Sequence, residues 1–124
     1  MKHFREHGQA MTEFALILPV LLLMAVGIFE FGRAFYTYSA IANAAREGAR
    51  YGILNSSDST GIKNKAIEGA TTLGLNASNI TVQCISACAY DNQIRVTVTY
   101  SFVAVAPLIP SFTMNRTATM RILK

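Results

Sequence analysis

Glu13 is the residue whose chemistry most needs explaining, because it opens an apolar stretch. Residues 14–29 carry no charge and are followed by Glu30. An ionised carboxylate inside a lipid bilayer costs about 3 kcal/mol on insertion scales. Glu13 therefore either lies at the lipid headgroups, where it needs no partner, or pairs with a cation inside the membrane.

A cation for Glu13 arises if the chain is cut between Gly8 and Gln9. The new α-amine at Gln9 would lie four residues before Glu13, about one helical turn away on nearly the same face. The amine of a neighbouring copy would serve equally well. Burying two opposite charges as a pair costs far less than burying either alone, so a cut between Gly8 and Gln9 would give Glu13 a partner for an assembly role.

Cys84 and Cys88 form a second chemical pair, in the predicted turn between the first two strands. If this part of the chain lies outside the cytoplasm, where disulfides persist, a disulfide is predicted. Two free thiols and a metal site remain as alternatives, although a single C-x3-C lacks a second pair of metal ligands.

Candidate catalytic residues are scattered. The two histidines, His3 and His7, both precede Gly8 and would leave with a cleaved leader. A serine or cysteine nucleophile then has no identifiable base, and the sequence contains no glycine-rich phosphate loop. We expect a protein that is not an enzyme and that uses no cofactor or metal.

Length and composition narrow the class of protein. The chain has 124 residues, of which 52% are hydrophobic and 15% are charged, which suits one compact domain with one appendage and excludes an intrinsically disordered chain. The formal net charge is +4, but the basic residues occur singly or in twos. Without a basic run interleaved with aromatics, nucleic acid is not an expected partner.

The apolar stretch is predicted to be a membrane-spanning helix, with residues 14–31 as the anchor. It is apolar on every side, and Arg33 can reach outward beyond it. Lys2 and Arg5 precede it and predict a cytoplasmic N terminus with the remainder outside. No small-x-small cleavage pattern follows it, so it should be retained. The alternative is a buried core helix of a water-soluble protein.

Pro19 lies inside this predicted helix. Proline donates no backbone hydrogen bond and crowds the preceding turn. Membrane helices tolerate such a residue, so a kink or a loosened turn is predicted there.

The helix is predicted to continue to about residue 53 with one apolar face. This face contains Phe31, Ala34, Phe35, Tyr38, Ile41, Ala42, Ala45, Ala49, Gly52 and Ile53. Small residues on it favour close packing, and Gly48 and Gly52 are interpreted as packing residues rather than as a dimer motif. A polar loop at 55–61 precedes a short helix for which Gly74 is the predicted C-cap.

The hydrophobic period then changes to two, which predicts strands near 80–84, 94–102 and 114–122. Pro107 and Pro110 form the connection between the second and third strands, and Arg116 interrupts the alternation of the third. Three strands with one apolar face need a cover, which the amphipathic half of the long helix supplies. The predicted fold is α+β, with one long N-terminal helix (about 10–53) packed on a three-stranded antiparallel sheet with one short helix.

Two sets of motifs resemble those of a known family. The run Gly8-Gln9-Ala10-Met11-Thr12-Glu13-Phe14 follows the type IV prepilin pattern, with a basic leader ending in Gly and Glu at the fifth residue after the cut. The segments from Glu30 to Tyr36 and from Asn43 to Tyr51 are similar to those of TadE-like pseudopilins of tight-adherence (Tad) pilus systems. The resemblance covers the first fifty residues well and the rest loosely.

This resemblance implies a leader (1–8), a transmembrane and filament-core helix (9–33) and an extracytoplasmic pilin-like domain (34–124). It also implies processing by a membrane-embedded prepilin peptidase, with methylation of the new N terminus in some relatives. Assembly by a secretion ATPase and an inner-membrane platform would follow. The expected function is that of a structural subunit, a minor pilin or pseudopilin, which waits in the inner membrane and joins other pilus subunits in a surface filament for adhesion.

A permanently anchored extracytoplasmic binding or assembly protein is the alternative function. Such a protein would never enter a filament, and Arg46 and Arg50 would then be candidates for a binding patch. A solvated helix face is the commoner meaning of such charges.

Overall fold

The structure is a computed structural model that describes residues 3–123, with side chains described for residues 8–123. Its elements are α1 (His3–Gly52), α2 (Ser59–Glu68), two 3₁₀ helices (Thr71–Leu73 and Ala77–Asn79), β1 (Ile80–Ile85), β2 (Gln93–Phe102) and β3 (Phe112–Arg121). A long helix packed on a three-stranded antiparallel sheet with a short helix confirms the predicted α+β fold. The calls on Lys2 and on the side chains of His3, Arg5 and His7 fall outside the described residues.

The chain divides into two compact units, residues 1–33 (unit 1) and residues 34–124 (unit 2). Helix α1 continues from unit 1 into unit 2 and ends at Gly52, one residue before the predicted end. It begins at His3, earlier than the predicted start near residue 10. The segment before Gln9 contains no proline, and one glycine costs a helix only about 1 kcal/mol, so the helix extends through it.

The sheet is a meander in the order β1-β2-β3, with both pairs antiparallel. Val96 on the central strand lies opposite Val82 on β1 and Ala118 on β3, so apolar residues share one face. The opposite face is polar, and the hydroxyl oxygens of Thr97 and Thr117 lie 2.9 Å apart on it. The three strands confirm the predicted change to a period of two.

One hydrophobic core fills unit 2 and joins α1, α2 and the sheet. Its buried members are Ile41, Ala44, Ala45, Ala49, Ile62, Ala66, Ala70, Leu75, Ile80, Ile94, Val96, Val98 and Ile122. Hydrogen bonds add to this packing: Asn43 Nδ2 donates to the carbonyl of Gly69 (2.9 Å), and the hydroxyl oxygens of Tyr36 and Thr72 lie 3.0 Å apart.

The buried face of α1 in unit 2 differs from the predicted one. Phe35 is 63% exposed and Tyr38 is exposed as well, although both were assigned to the apolar face. The buried positions are Thr37, Ile41, Ala44, Ala45, Gly48, Ala49 and Gly52. Small side chains define this face because they let the helix approach the sheet closely, and a large aromatic ring would hold the two apart.

Gly48 and Gly52 are packing residues of this interface. A Cβ atom at Gly48 would lie 3.0 Å from Ala66 Cβ and 3.2 Å from both the carbonyl oxygen of Ile62 and Val96 Cγ1. A Cβ atom at Gly52 would lie 2.6 Å from Ile94 Cδ1. Both glycines therefore face the interior of unit 2, as the packing interpretation requires.

Helix α2 begins and ends at other residues than predicted. Asp58 is its N-cap and accepts a hydrogen bond from the Gly61 N–H (2.9 Å), so the helix begins inside the predicted polar loop. It ends at Glu68 with Gly69 as the C-cap. Gly74 (φ 59°) instead ends the following 3₁₀ helix in the left-handed conformation that glycine adopts readily.

Asp58 also accepts a hydrogen bond from the Tyr51 hydroxyl on α1 (3.1 Å). This hydrogen bond, and then partial desolvation and the carboxylate charge, raise the pKa of Tyr51 above its usual 10.0. A group whose pKa is raised on folding stabilises the fold at pH values below its unfolded pKa, and the contribution is lost as the pH rises through the folded value. The contribution of Tyr51 to stability should therefore be lost in strongly alkaline solution, where its hydroxyl ionises.

We expect Asp58→Asn to return the pKa of Tyr51 toward its usual value, because the variant removes the negative charge and keeps an N-cap side chain. Titration of the Tyr51 Cζ resonance by NMR measures this effect. An unchanged titration in Asp58→Asn would show that Asp58 is not the cause of the raised pKa.

Candidate membrane and assembly segment

The apolar stretch of α1 exposes its side chains on all sides. Every large apolar side chain in it is exposed, and Leu16 reaches 72%. These residues are Phe14, Leu16, Ile17, Leu18, Val20, Leu21, Leu22, Leu23, Met24, Val26, Ile28 and Phe29. The buried core helix that was the alternative would cover such surface, whose exposure to water costs about 25 cal/mol per Å². Helix α1 contains one stretch long and apolar enough to cross a membrane once.

Gln9 and Glu13 lie one turn apart at the start of this stretch, and their side chains are in contact. Gln9 Nε2 donates a hydrogen bond to Glu13 Oε1 (3.1 Å). The Thr12 hydroxyl donates to the carbonyl oxygen of Gly8 (2.8 Å), which belongs to the peptide bond of the predicted cut. The helix thus presents Glu13 on the same face as residue 9, the position from which a new α-amine would approach it.

Glu30 and Arg33 form an ion pair at the other end of the apolar stretch. Arg33 Nη1 lies 3.0 Å from Glu30 Oε2 and 3.1 Å from Oε1. Glu30 is only 3% exposed. The sequence predicted that Arg33 reaches outward, whereas the structure turns it back by one helical turn onto Glu30. Because the two charges neutralise each other, this end of the stretch is cheaper to place next to lipid.

Pro19 lies within α1, and the helix is continuous through it. Proline has no N–H, so the carbonyl of Ala15 lacks its usual donor from position 19. A kink at Pro19 stays a prediction.

Cys84 and Cys88 are joined by a disulfide with a Cα–Cα distance of 5.1 Å, as predicted. Cys84 lies within β1 rather than in the turn. The closed loop contains Ser86, whose φ of 74° is unusual for a residue with a side chain. The carbonyl of Cys88 accepts a hydrogen bond from the Ser56 hydroxyl (3.3 Å), which ties this loop to the segment after α1.

Replacing both cysteines by serine should lower the free energy of unfolding by about 2 kcal/mol, because the unfolded chain regains the freedom of a short loop. Urea unfolding of the double variant and of the parent with and without reductant measures the change. If the reduced parent and the variant are as stable as the oxidised parent, the disulfide does not stabilise the fold.

Arg116 and Tyr38 make a contact that the sequence analysis missed. Arg116 lies opposite Val98 on the apolar face of the sheet. Its Nη1 donates to the Tyr38 hydroxyl (2.6 Å), and its guanidinium carbon lies 4.6 Å from the centre of the Tyr38 ring. The only signal in the sequence was the interruption of the third strand by Arg116, which gives no partner.

Among the residues whose side chains are described, no three His, Cys, Asp or Glu side chains come together as a metal site would require.

Comparison with protein families agrees with this geometry. Residues 8–50 match the model of the TadE-like protein family. The N-terminal segment is thus similar to that of TadE-like proteins. The match begins at Gly8 and extends through the apolar stretch and most of the packed half of α1. No curated protein and no solved structure gives a significant match.

The TadE-like family is not a family of enzymes, and it is associated with the Tad pilus system. The match ends before α2, so the sheet and the disulfide lie outside it. The similarity to TadE-like proteins therefore covers most of α1 and none of the elements that follow it.

Proposed function

We propose that this chain is a structural subunit, a minor pilin or pseudopilin, of a Tad-type pilus. A prepilin peptidase removes residues 1–8, residues 9–33 serve first as the inner-membrane anchor and later as filament core, and residues 34–124 lie outside the cytoplasm. The observation that carries the proposal is the all-round exposure of the apolar stretch within a segment that matches the TadE-like family.

The apolar stretch suits both stages of this role. Lipid tails and the apolar side chains of neighbouring helices are similar surroundings, so leaving the bilayer for a bundle of like helices exchanges one apolar contact for another. The platform and ATPase of the pilus system would supply the work of extraction. The ion pair of Glu30 and Arg33 travels with the helix as a neutral unit.

Glu13 sets the axial position of each subunit in this proposal. After the cut, the α-amine of Gln9 in the same chain or in its neighbour pairs with the Glu13 carboxylate. The contact between Gln9 and Glu13 supports the pairing within one chain, because it places residue 9 within reach of the carboxylate. An axial position in which either buried charge lacks its partner is destabilised, so the pair favours one position of each subunit relative to its neighbour.

Mass analysis of the N terminus of the protein from membranes tests the processing step. We expect a chain that begins at Gln9. A chain that retains Met1 in cells that assemble pili would contradict the cut, and the proposed pairing of Glu13 with it.

Fractionation separates filament assembly from permanent anchoring. A filament subunit appears in the extracellular fraction after shearing, and an anchored binding protein stays with the membranes. Arg46 and Arg50 are both exposed and lie one turn apart on α1, and the patch suggested for the anchored protein stays a prediction.

A further inference from the structure

The connection between β2 and β3 (residues 103–111, the apolar loop) exposes apolar side chains in a stretch of sequence that carries no charge. No charged residue occurs between Arg95 and Arg116. Leu108 is 83% exposed, and Val103, Val105 and Ile109 are exposed as well. Water-soluble surfaces rarely keep such side chains together unless another surface covers them.

The apolar loop lies at one defined end of unit 2. Gly48 on α1 faces Val96 on β2, and Gly52 faces Ile94. Four helix residues and two strand residues both advance the chain by about 6 Å. Three such steps lead from Gly48 back to residue 36 on α1 and from Val96 forward to Phe102 on β2. Phe102 therefore lies level with about residue 36 of α1.

Phe102 pairs with Phe112 across β2 and β3, and the apolar loop connects these two residues. The loop consequently lies at the end of unit 2 where α1 enters it. Ala34 directly follows Arg33, the last residue of the ion pair that closes the apolar stretch. This end of unit 2 is therefore the one that the chain joins directly to the apolar stretch.

Exposed aromatic residues surround the same level of α1. Phe35, Tyr36 and Tyr38 are all exposed there. Tyrosine and other aromatic side chains favour the boundary between headgroups and acyl chains, where an apolar ring and a polar hydroxyl are both accommodated. Phe35, which was predicted to face the sheet, is the most exposed of the three, and the exposed parts of Tyr36 and Tyr38 lie beside their contacts with Thr72 and Arg116.

We infer that the apolar loop is a second membrane contact, which inserts at the headgroup–acyl boundary while the chain waits in the bilayer. This inference rests on the proposed membrane anchoring. Pro107 and Pro110 restrict the loop backbone, so the loop loses little conformational entropy when it inserts. Leu108 at its centre enters most deeply, and Arg116 stays on the aqueous side, paired with Tyr38.

Tryptophan fluorescence tests the inference, because the chain contains no tryptophan of its own. The full-length variants Leu108→Trp and Tyr90→Trp are reconstituted into phospholipid vesicles whose acyl chains carry bromine close to the headgroups. Tyr90 is a matched control, since it is also exposed but lies in the β1–β2 connection. That connection belongs to the opposite end of unit 2, where the Asp91 N–H donates to the Ile122 carbonyl.

We expect Leu108→Trp to emit at shorter wavelength in vesicles than Tyr90→Trp and to lose more than half of its emission to the brominated lipid. Little quenching is expected for the control. Equal, weak quenching in both variants overturns the inference. A blue-shifted Leu108→Trp that bromine does not quench also overturns it, because the loop is then covered by protein, such as a second copy.

Vesicle flotation of the same samples distinguishes this failure from failure of the proposed function. Chains that float with the vesicles but show no quenching leave the anchor intact and remove only the loop contact. Chains that do not float contradict membrane anchoring, and the loop contact with it.

Discussion

Replacing Glu13 with valine should remove the chain from sheared filaments while leaving the cut after Gly8 intact. The α-amine of Gln9 would then enter the filament core without its carboxylate. Removing one partner of a buried ion pair costs about 3–5 kcal/mol, which corresponds to more than a hundredfold loss at equilibrium. Quantitative immunoblots of sheared and membrane fractions measure incorporation, and mass analysis of the membrane form measures the cut.

Glu68→Val is the matched control for Glu13→Val. It removes a carboxylate from unit 2 that pairs with Lys65 in an exposed position, and exposed pairs contribute little stability. We expect normal incorporation of this variant. Normal incorporation of Glu13→Val itself would contradict the register role, and accumulation of its uncut form would assign Glu13 to recognition by the peptidase instead.

Gly48→Val should destabilise unit 2 by about 3 kcal/mol, since overpacking a close interface forces side chains and backbone to move. The first obstacle is Ala66 Cβ, and the second is the carbonyl oxygen of Ile62. Neither is the end of a flexible side chain that could turn away. For a unit of this size the melting temperature should fall by at least about 10 °C, as measured by thermal unfolding of the full chain in detergent.

Gly32→Val controls for the change in helix propensity. It places the same side chain in the same helix, where no heavy atom lies within 4 Å of a built Cβ atom. The melting temperature of unit 2 should stay within a few degrees of the parent value, since no packed neighbour has to move. If both variants melt alike, α1 does not approach α2 as closely as the structure has it.

The elements of the fold that depend on periodicity were predictable. The alternation from Ile94 to Phe102 identified β2 because one face of the strand packs in the core and the other is solvated. The exposed apolar stretch was predictable for a similar reason, since a helix that is apolar on all sides is stable only where apolar groups surround it. The disulfide was favoured by the short spacing of Cys84 and Cys88 and by the predicted location outside the cytoplasm.

Contacts that depend on size and on distant partners were not predictable. A helical wheel ranks Phe35 and Tyr38 with Ile41 by hydrophobicity, whereas the interface selects residues by volume. The contact of Arg116 with Tyr38 joins residues on α1 and β3 that no local pattern connects. For the candidate site, spacing alone placed Gln9 and Glu13 on one helix face, but it did not predict that Arg33 turns back to Glu30.

The backbone hydrogen bond from the Leu123 N–H to the Ile53 carbonyl (2.9 Å) has a consequence for biogenesis. It joins the segment after α1 to the segment after β3, so unit 2 closes only when the last strand is available. Domains whose decisive contacts are distant in sequence fold late and slowly. The segment after α1 therefore gains this hydrogen bond only after the whole of β3 has been synthesised, so α1 and the first two strands exist before unit 2 can close.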